Sequence, residues 1–166
     1  RRLIPDLSVT TDIIVGFPGE TEADFQCTLE IAAEAMFDNT FEYIFSPREG
    51  TQAADMSEHF IDPAIVSDRF DRLKIVVEHS ALIKHEARIG RIEEVVVQGP
   101  SRRNPNVYSG RTRQYKLVHF SSDVALRPGT YTTVEITKAA PHFLTGFLVE
   151  VLQMATHKIR IPVVSV

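Results

Sequence analysis

The sequence contains a single cysteine, Cys27. One thiol closes no internal disulfide and builds no cysteine-rich metal site. Cys27 lies in a stretch that reads as helix, where it is expected as a small buried apolar residue, and the scarcity of cysteine fits a reducing compartment, the cytoplasm. No apolar run approaches the ~20 residues that a membrane-spanning helix needs, so no membrane association is expected. The amino end, Arg1-Arg2-Leu3-Ile4-Pro5, has neither the apolar stretch nor the cleavage site of a signal peptide. It also does not start with methionine, and a piece of a longer protein is expected. The six histidines show no metal-ligand spacing, His-Glu-x-x-His does not occur, and His79 and His85 are too far apart on a helix to share an ion. The phosphate-cradling Gly-x-x-x-x-Gly-Lys-[Ser/Thr] and the dinucleotide-binding Gly-x-Gly-x-x-Gly are both missing.

What is present is an ordinary globular composition, 43% hydrophobic and 24% charged, at a length that suits one domain or two small ones. The charge is unevenly spread. Between Gly99 and Phe120 stand Arg102, Arg103, Arg111, Arg113 and Lys116 with no acidic residue, so the rest of the chain is more acidic than the overall −4. Tyr108, Tyr115, His119 and Phe120 are interleaved with these cations. Cations attract phosphates and aromatic faces stack bases, so this segment is a candidate RNA-binding surface. Tyr115 and Phe120 are equally compatible with the core of a barrel.

The first half reads as βα units. Val9 to Val15 ends in a run of apolar residues and suits a strand covered on both faces, as in a parallel sheet. The turn Gly16-Phe17-Pro18-Gly19 follows. Thr21 with Asp24 then forms a capping-box pattern, and Phe25, Leu29, Ala32 and Met36 recur at helical spacing as far as Phe37-Asp38-Asn39. Thr40 to Phe45 is a second, β-branched and aromatic strand, giving a right-handed βαβ crossover. Its trailing loop, Ser46 to Thr51, falls on the same rim as the first loop, at the carboxyl ends of the strands where α/β folds bind ligands. Both loops read as turns or as ligand loops. In the second reading Gly16 leaves room for a ligand near the backbone, Ile14 offers a flat apolar surface, and Arg48 can meet an anionic group. Asp62 and Pro63 start a long helix that is expected to run to Ile89, with Val66, Phe70, Leu73 and Val77 on one face and Gly90 as its C-cap.

After Gly90 the pattern changes to short strands, Ile92 to Gln98, Lys116 to Phe120, Thr130 to Thr137 and Phe143 to Val151, punctuated by Gly99-Pro100, Asn104-Pro105 and Arg127-Pro128-Gly129. They suggest a small OB-like β-barrel. The expected organisation is residues 1–90, residues 91–150 and a tail, 151–166, of unspecified structure.

Three blocks in this order resemble the radical S-adenosylmethionine methylthiotransferases. They are Asp12-Ile-Ile-Val-Gly-Phe-Pro-Gly-Glu-Thr21 with Asp24-Phe25; Phe45-Ser-Pro-Arg-Glu-Gly-Thr-Gln-Ala-Ala54; and Ser109-Gly-Arg-Thr-Arg113 with Lys116-Leu-Val-His-Phe120, Val134 to Thr137 and Ala140-Pro-His142. The resemblance spans roughly residues 5–150 and is nearest to the branch that modifies tRNA. It implies an α/β partial barrel, the last βαβ units of a radical TIM-like barrel, followed by a TRAM domain, an OB-like RNA-binding β-barrel. It further implies a parent enzyme that adds a methylthio group to C2 of N6-isopentenyladenosine beside the anticodon, using S-adenosylmethionine and two [4Fe-4S] clusters. The cluster cysteines are absent from this chain, so it is expected to be inactive alone and to hold no catalytic or metal-ligating residue. The residues implied at the cofactor are Ile14, Gly16, Ser46 and Arg48. Those implied at RNA are Arg102, Arg103, Tyr108, Arg111, Arg113 and Lys116. A related superfamily motif has a glutamate three residues after the strand-end glycine; here Gly19 stands there and Glu20 follows, so no role falls to Glu20. The implied partners are a tRNA anticodon stem-loop and the N-terminal part of the same protein, with dimerisation through the open barrel edge a further expectation. The alternatives are the sister branch that modifies a ribosomal protein, and a stand-alone, non-catalytic RNA-binding module.

Overall fold

A computed structural model describes residues 2–101 and 104–156. Arg102, Arg103 and most of the expected tail (157–166) lie outside the described residues. The chain divides into two units: the first comprises the residues up to Arg88 with Ala139–His142, the second Ile89–Lys138 and the residues from Phe143.

In the first unit, strand β1 (Thr10–Val15) is followed by helix α1 (Glu22–Ala35) and strand β2 (Asn39–Ile44), which pairs parallel to β1 with Ile14 opposite Tyr43. The short helix α2 (Gln52–Asp55), a 3-10 turn (Ser57–His59) and the long helix α3 (Pro63–Glu86) complete it. The expected capping box is present: the Asp24 amide donates to Thr21 Oγ1 and the Thr21 amide donates to the Asp24 carboxylate. Helix α1 ends when Met36 turns left-handed at φ 50°. Helix α3 starts as expected, with Asp62 accepting the Ala64 amide and Pro63 in the first turn. It stops earlier than its pattern suggested, with Ala87 rather than Gly90 at the C-cap.

The core of this unit gathers Val15, Phe25, Ala32, Val66, Leu73 and Val77, the inward residues of β1, α1 and α3. Strand β1 is covered on one face only among the described residues, not on both. Ile13 and Val15 turn toward the helices, while Ile14, Phe41 and Tyr43 are about half exposed on the other face. A two-stranded parallel sheet has no further strands to bring covering elements to that side. Cys27 is exposed, contrary to expectation. Phe25, Leu29 and Ala32 take the inner stripe of α1, and position 27 lies off it.

The second unit is a closed barrel of five strands in the order β3-β4-β5-β7-β6. These are β3 (Ile92–Pro100), β4 (Val107–Thr112), β5 (Leu117–Ser121), β6 (Tyr131–Ala139) and β7 (Leu144–Gln153). Neighbouring strands β3–β4, β3–β6 and β4–β5 run antiparallel, and β5–β7 run parallel. Strand β4 is not among the strands expected from the sequence. Closure needs it between β3 and β5, and its alternation is regular, with Tyr108, Gly110 and Thr112 inward. The interior is filled by Val95, Val97, Val118, Phe120, Val134 and Ile136, with Leu144 from β7. Tyr108 stacks on Phe120 at 6.0 Å and its hydroxyl accepts the Leu126 amide at 3.2 Å.

Strand β7 approaches β6 so closely at Gly146 that a Cβ there would collide with the Glu135 carbonyl oxygen, a backbone atom that cannot swing aside. Gly146→Ala is expected to destabilise the barrel by about 1–3 kcal/mol, the range for overpacking. Urea denaturation of the two proteins measures it, and an unchanged midpoint would show that the two strands are not so close.

Candidate functional site

Each unit presents a candidate site. In the first it is built where the two parallel strands end. The Val15 carbonyl accepts the Phe45 amide, which carries the pairing one step beyond β2 and sets the two loops side by side. Gly16 adopts φ 77°, and a Cβ on it would lie 2.7–2.8 Å from both methyls of Val66. The space spared by the missing side chain is thus taken by α3 rather than left open for a ligand. The Phe17-Pro18-Gly19-Glu20 turn closes through the Glu20 amide on the Phe17 carbonyl, and the Gly19 amide donates to the His59 carbonyl. Phe45 sits between Phe17 and Phe60, ring centroids 5.4 and 5.8 Å away, both edge to face. Beside them an apolar cleft of about 250 Å³ is lined by Ile44, Phe45, Pro47, Ile61 and Val66 among others.

The residue that organises this loop is the one the motif comparison passed over. Glu20, 11% exposed, receives the Gly16 amide at 3.0 Å and the Arg69 guanidinium at 2.8 Å on the same carboxylate oxygen. Arg69, 5% exposed, also donates to the Glu20 carbonyl at 3.0 Å and to Glu22 at 3.1 Å. Arg72 closes on Glu22 at 2.7 Å and on Asp68 at 3.2 Å. Both guanidinium groups lie over the buried Phe25 ring, 5.6 and 4.9 Å from its centroid. Hydrogen bonding from Arg72 holds the Glu22 carboxyl below its usual range. Neither Glu20 nor Arg69 was legible as a pair, because 49 residues separate them.

Of the cofactor residues expected from sequence, Ile14 is on the uncovered face of the sheet and Ser46 and Arg48 are exposed in the second loop. That loop is closed by Thr51, whose hydroxyl donates to the Arg48 carbonyl at 2.7 Å and accepts the Ala54 amide. Gly16 is buried. Among the described residues no group of three or more His, Cys, Asp or Glu side chains could hold a metal ion, and no helix is long and apolar enough to cross a membrane.

On the barrel, the basic segment separates into inward and outward residues. Tyr108 and Lys116 are buried, the Lys116 amide donating to Thr112 Oγ1 at 3.1 Å. Arg113 and Tyr115 are exposed in the β4–β5 turn, and Arg111 stands half-buried on the outer face of β4. The Arg111 guanidinium lies 4.7 Å from the Tyr115 ring centroid and donates to the Tyr115 carbonyl at 3.1 Å. Alongside, Ser109 and His119, paired across β4 and β5, meet at 2.9 Å, and Phe143 contacts the His119 ring at 5.2 Å. The outer surface here is a polar and aromatic strip with cations at one end.

Residues 86–149, which take in most of the barrel, match the family model described as the TRAM domain. The longer match extends through both units. The chain is 46% identical over 150 residues to a tRNA-2-methylthio-N(6)-dimethylallyladenosine synthase from Moorella thermoacetica, covering 90% of this chain and 33% of that protein. It is 45% identical over 146 residues to the protein of the same name from Corynebacterium jeikeium (87% and 28%), and 47% over 147 residues to that from Acidothermus cellulolyticus (87% and 29%). The chain is similar to these proteins over most of its own length, and it spans about a third of the length of the curated relatives it matches.

Arg69→Met would strand the Glu20 carboxylate in a buried position, at an expected cost of about 3 kcal/mol. Adding Glu20→Gln should recover part of that loss, because the amide oxygen still accepts from Gly16 and no charge is left behind. The contribution of Glu22 is present above its ordinary pKa and is lost as pH falls through its lowered value. Urea titrations of the three proteins at pH 7 give the order, and a double variant no more stable than Arg69→Met would contradict the stranded-charge account.

Proposed function

We propose that this chain is the part of a tRNA methylthiotransferase that grips the substrate RNA and contributes one wall of the cofactor site. The observation that carries the reading is the 46% identity over 150 residues to a relative named for that activity. The arrangement on the barrel supports it. Arg111 and Arg113 offer charge on the outer surface, where phosphates can reach it, and Tyr108 and Lys116 support that surface from within. Arg102 and Arg103 would add to the charge. The proposed RNA is a tRNA anticodon stem-loop, and the modified atom is C2 of the N6-isopentenyladenosine beside the anticodon. A cytoplasmic location accords with the near absence of cysteine.

The first unit is proposed as the closing βαβ portion of the radical TIM-like barrel, with 1–90 and 91–150 as the two domains. Further strands of the whole protein would continue the β1–β2 sheet; without them, a second copy pairing at the same edge is the expected route to a dimer. Ile14 on the open sheet face would lie against the adenine of S-adenosylmethionine, with Ser46 and Arg48 at its rim, and Gly16 would set the turn between them. The apolar exposure of Ile14 fits such a partner. When bound, S-adenosylmethionine and two [4Fe-4S] clusters supply the radical and sulfur chemistry. The single cysteine of this chain leaves the cluster ligands to the rest of the protein. Glu20 and Arg69 hold the loop in place, and the barrel positions the RNA.

The test is a titration of the chain with an anticodon stem-loop across salt concentration. Salt-sensitive binding is expected, and Arg111→Ala with Arg113→Ala should weaken it and flatten the logarithmic salt slope by about two units at most. No binding by the native chain at low salt would overturn the RNA reading and favour the protein-modifying sister branch; an unchanged slope would remove these arginines from the contact. Anaerobic iron–sulfur reconstitution of the chain should leave it colourless, and a brown protein with stoichiometric iron would contradict the assignment of the cluster ligands elsewhere.

A further inference from the structure

The β4–β5 turn carries a feature that charge alone does not explain. The Thr112 carbonyl accepts the Tyr115 amide at 2.9 Å, closing a turn over Arg113 and Gln114, and the Thr112 amide donates to the Lys116 carbonyl at 3.0 Å. Tyr115 therefore occupies the left-handed position that follows a type I turn in a hairpin, and its φ is 61°. Glycine is the ordinary residue at such a position, and an aromatic side chain is strained there. The turn nevertheless places a tyrosine there and leaves it 72% exposed. An aromatic ring held in solvent buries little of its own surface, so hydrophobic stabilisation does not account for the strain. Arg111 contacts the ring at 4.7 Å while its Nη1 bonds the Tyr115 carbonyl, so ring and backbone are held by one guanidinium. Arg113 stands exposed two residues away.

We propose that Tyr115 is a stacking platform for an unpaired base of the bound RNA, oriented by Arg111. The proposal rests on the RNA-binding reading above and adds to it the class of nucleotide recognised. With Arg111 against it, the largely exposed ring still has surface open to a base, and stacking of this kind tolerates any base but needs one that is not paired. The orientation of the ring is fixed before the RNA arrives, which lowers the entropy lost on binding. Arg111 and Arg113 then meet the neighbouring phosphates, so one turn provides both contacts that a single-stranded segment requires.

The experiment is fluorescence anisotropy of a labelled anticodon stem-loop, and of a fully paired duplex of equal length, with the native chain and with Tyr115→Gly, Tyr115→Phe and Tyr115→Leu, each across salt. Tyr115→Gly should weaken stem-loop binding about tenfold, within the range for one stacked base, while leaving the salt slope unchanged. Its Tm should be equal to or above that of the native chain, because glycine relieves the left-handed strain. Tyr115→Phe should bind as the native chain does and Tyr115→Leu should resemble the glycine variant. This second pair keeps the backbone strain constant, so it decides the matter even if glycine loosens the turn. Duplex binding should be indifferent to all three. Equal stem-loop affinity for the Phe and Leu variants in a chain that binds RNA with a steep salt slope would overturn the platform and leave the RNA reading standing. A native chain that binds no RNA would overturn both.

Discussion

Closure of the barrel is the constraint on which the surface around Arg111 and Tyr115 depends. Five strands can close only if every strand edge finds a partner, and the join between β7 and β6 is close enough to exclude a side chain at Gly146. Once closed, alternation along each strand divides the residues between interior and surface without further choice. Tyr108 goes inward to stack on Phe120, and Arg111, three positions later on the same strand, goes outward. The turn that joins β4 to β5 then projects Arg113 and Tyr115 from a rigid base, which is what a recognition surface needs in order to hold its side chains in one geometry.

The first unit answers to a different requirement. Its two strands are parallel and its helices cover one side, so the other side keeps Ile14, Phe41 and Tyr43 in solvent. The loops are held not by the strands alone but by buried charge. A carboxylate takes an amide from the strand end and a guanidinium from α3, and the same guanidinium reaches the first turn of α1. Charge pairs of this sort add little net stability over an apolar substitute but are costly to break, so they specify one arrangement of the loop. The same arrangement is what a cofactor wall would require.

Much of the fold was legible in the sequence because local rules carried it. Thr21 and Asp24 announced the start of α1, Asp62 and Pro63 that of α3, and the apolar spacing identified Val66, Leu73 and Val77 as core. Strand β4 escaped notice because Ser109, Gly110 and the arginines dilute its apolar signal, and its inward positions include a glycine and a threonine. Cys27 was placed inside on residue type alone, although its position on the helix is off the apolar stripe. Glu20 was passed over because motif spacing compares one sequence with another and is silent on what Arg69 can reach.

The sequence by itself determined where α1 and α3 begin, which blocks resemble the methylthiotransferases, and where positive charge accumulates. These follow from residues near one another along the chain, whose dihedral preferences and spacing act locally. The tertiary structure alone decided which aromatic and basic residues face solvent. It buried Tyr108 and Lys116, exposed Tyr115 beneath the Arg111 guanidinium, and joined Glu20 to Arg69. The physical reason is that facing depends on strand register and on helix docking, which are set by contacts between residues far apart in the chain.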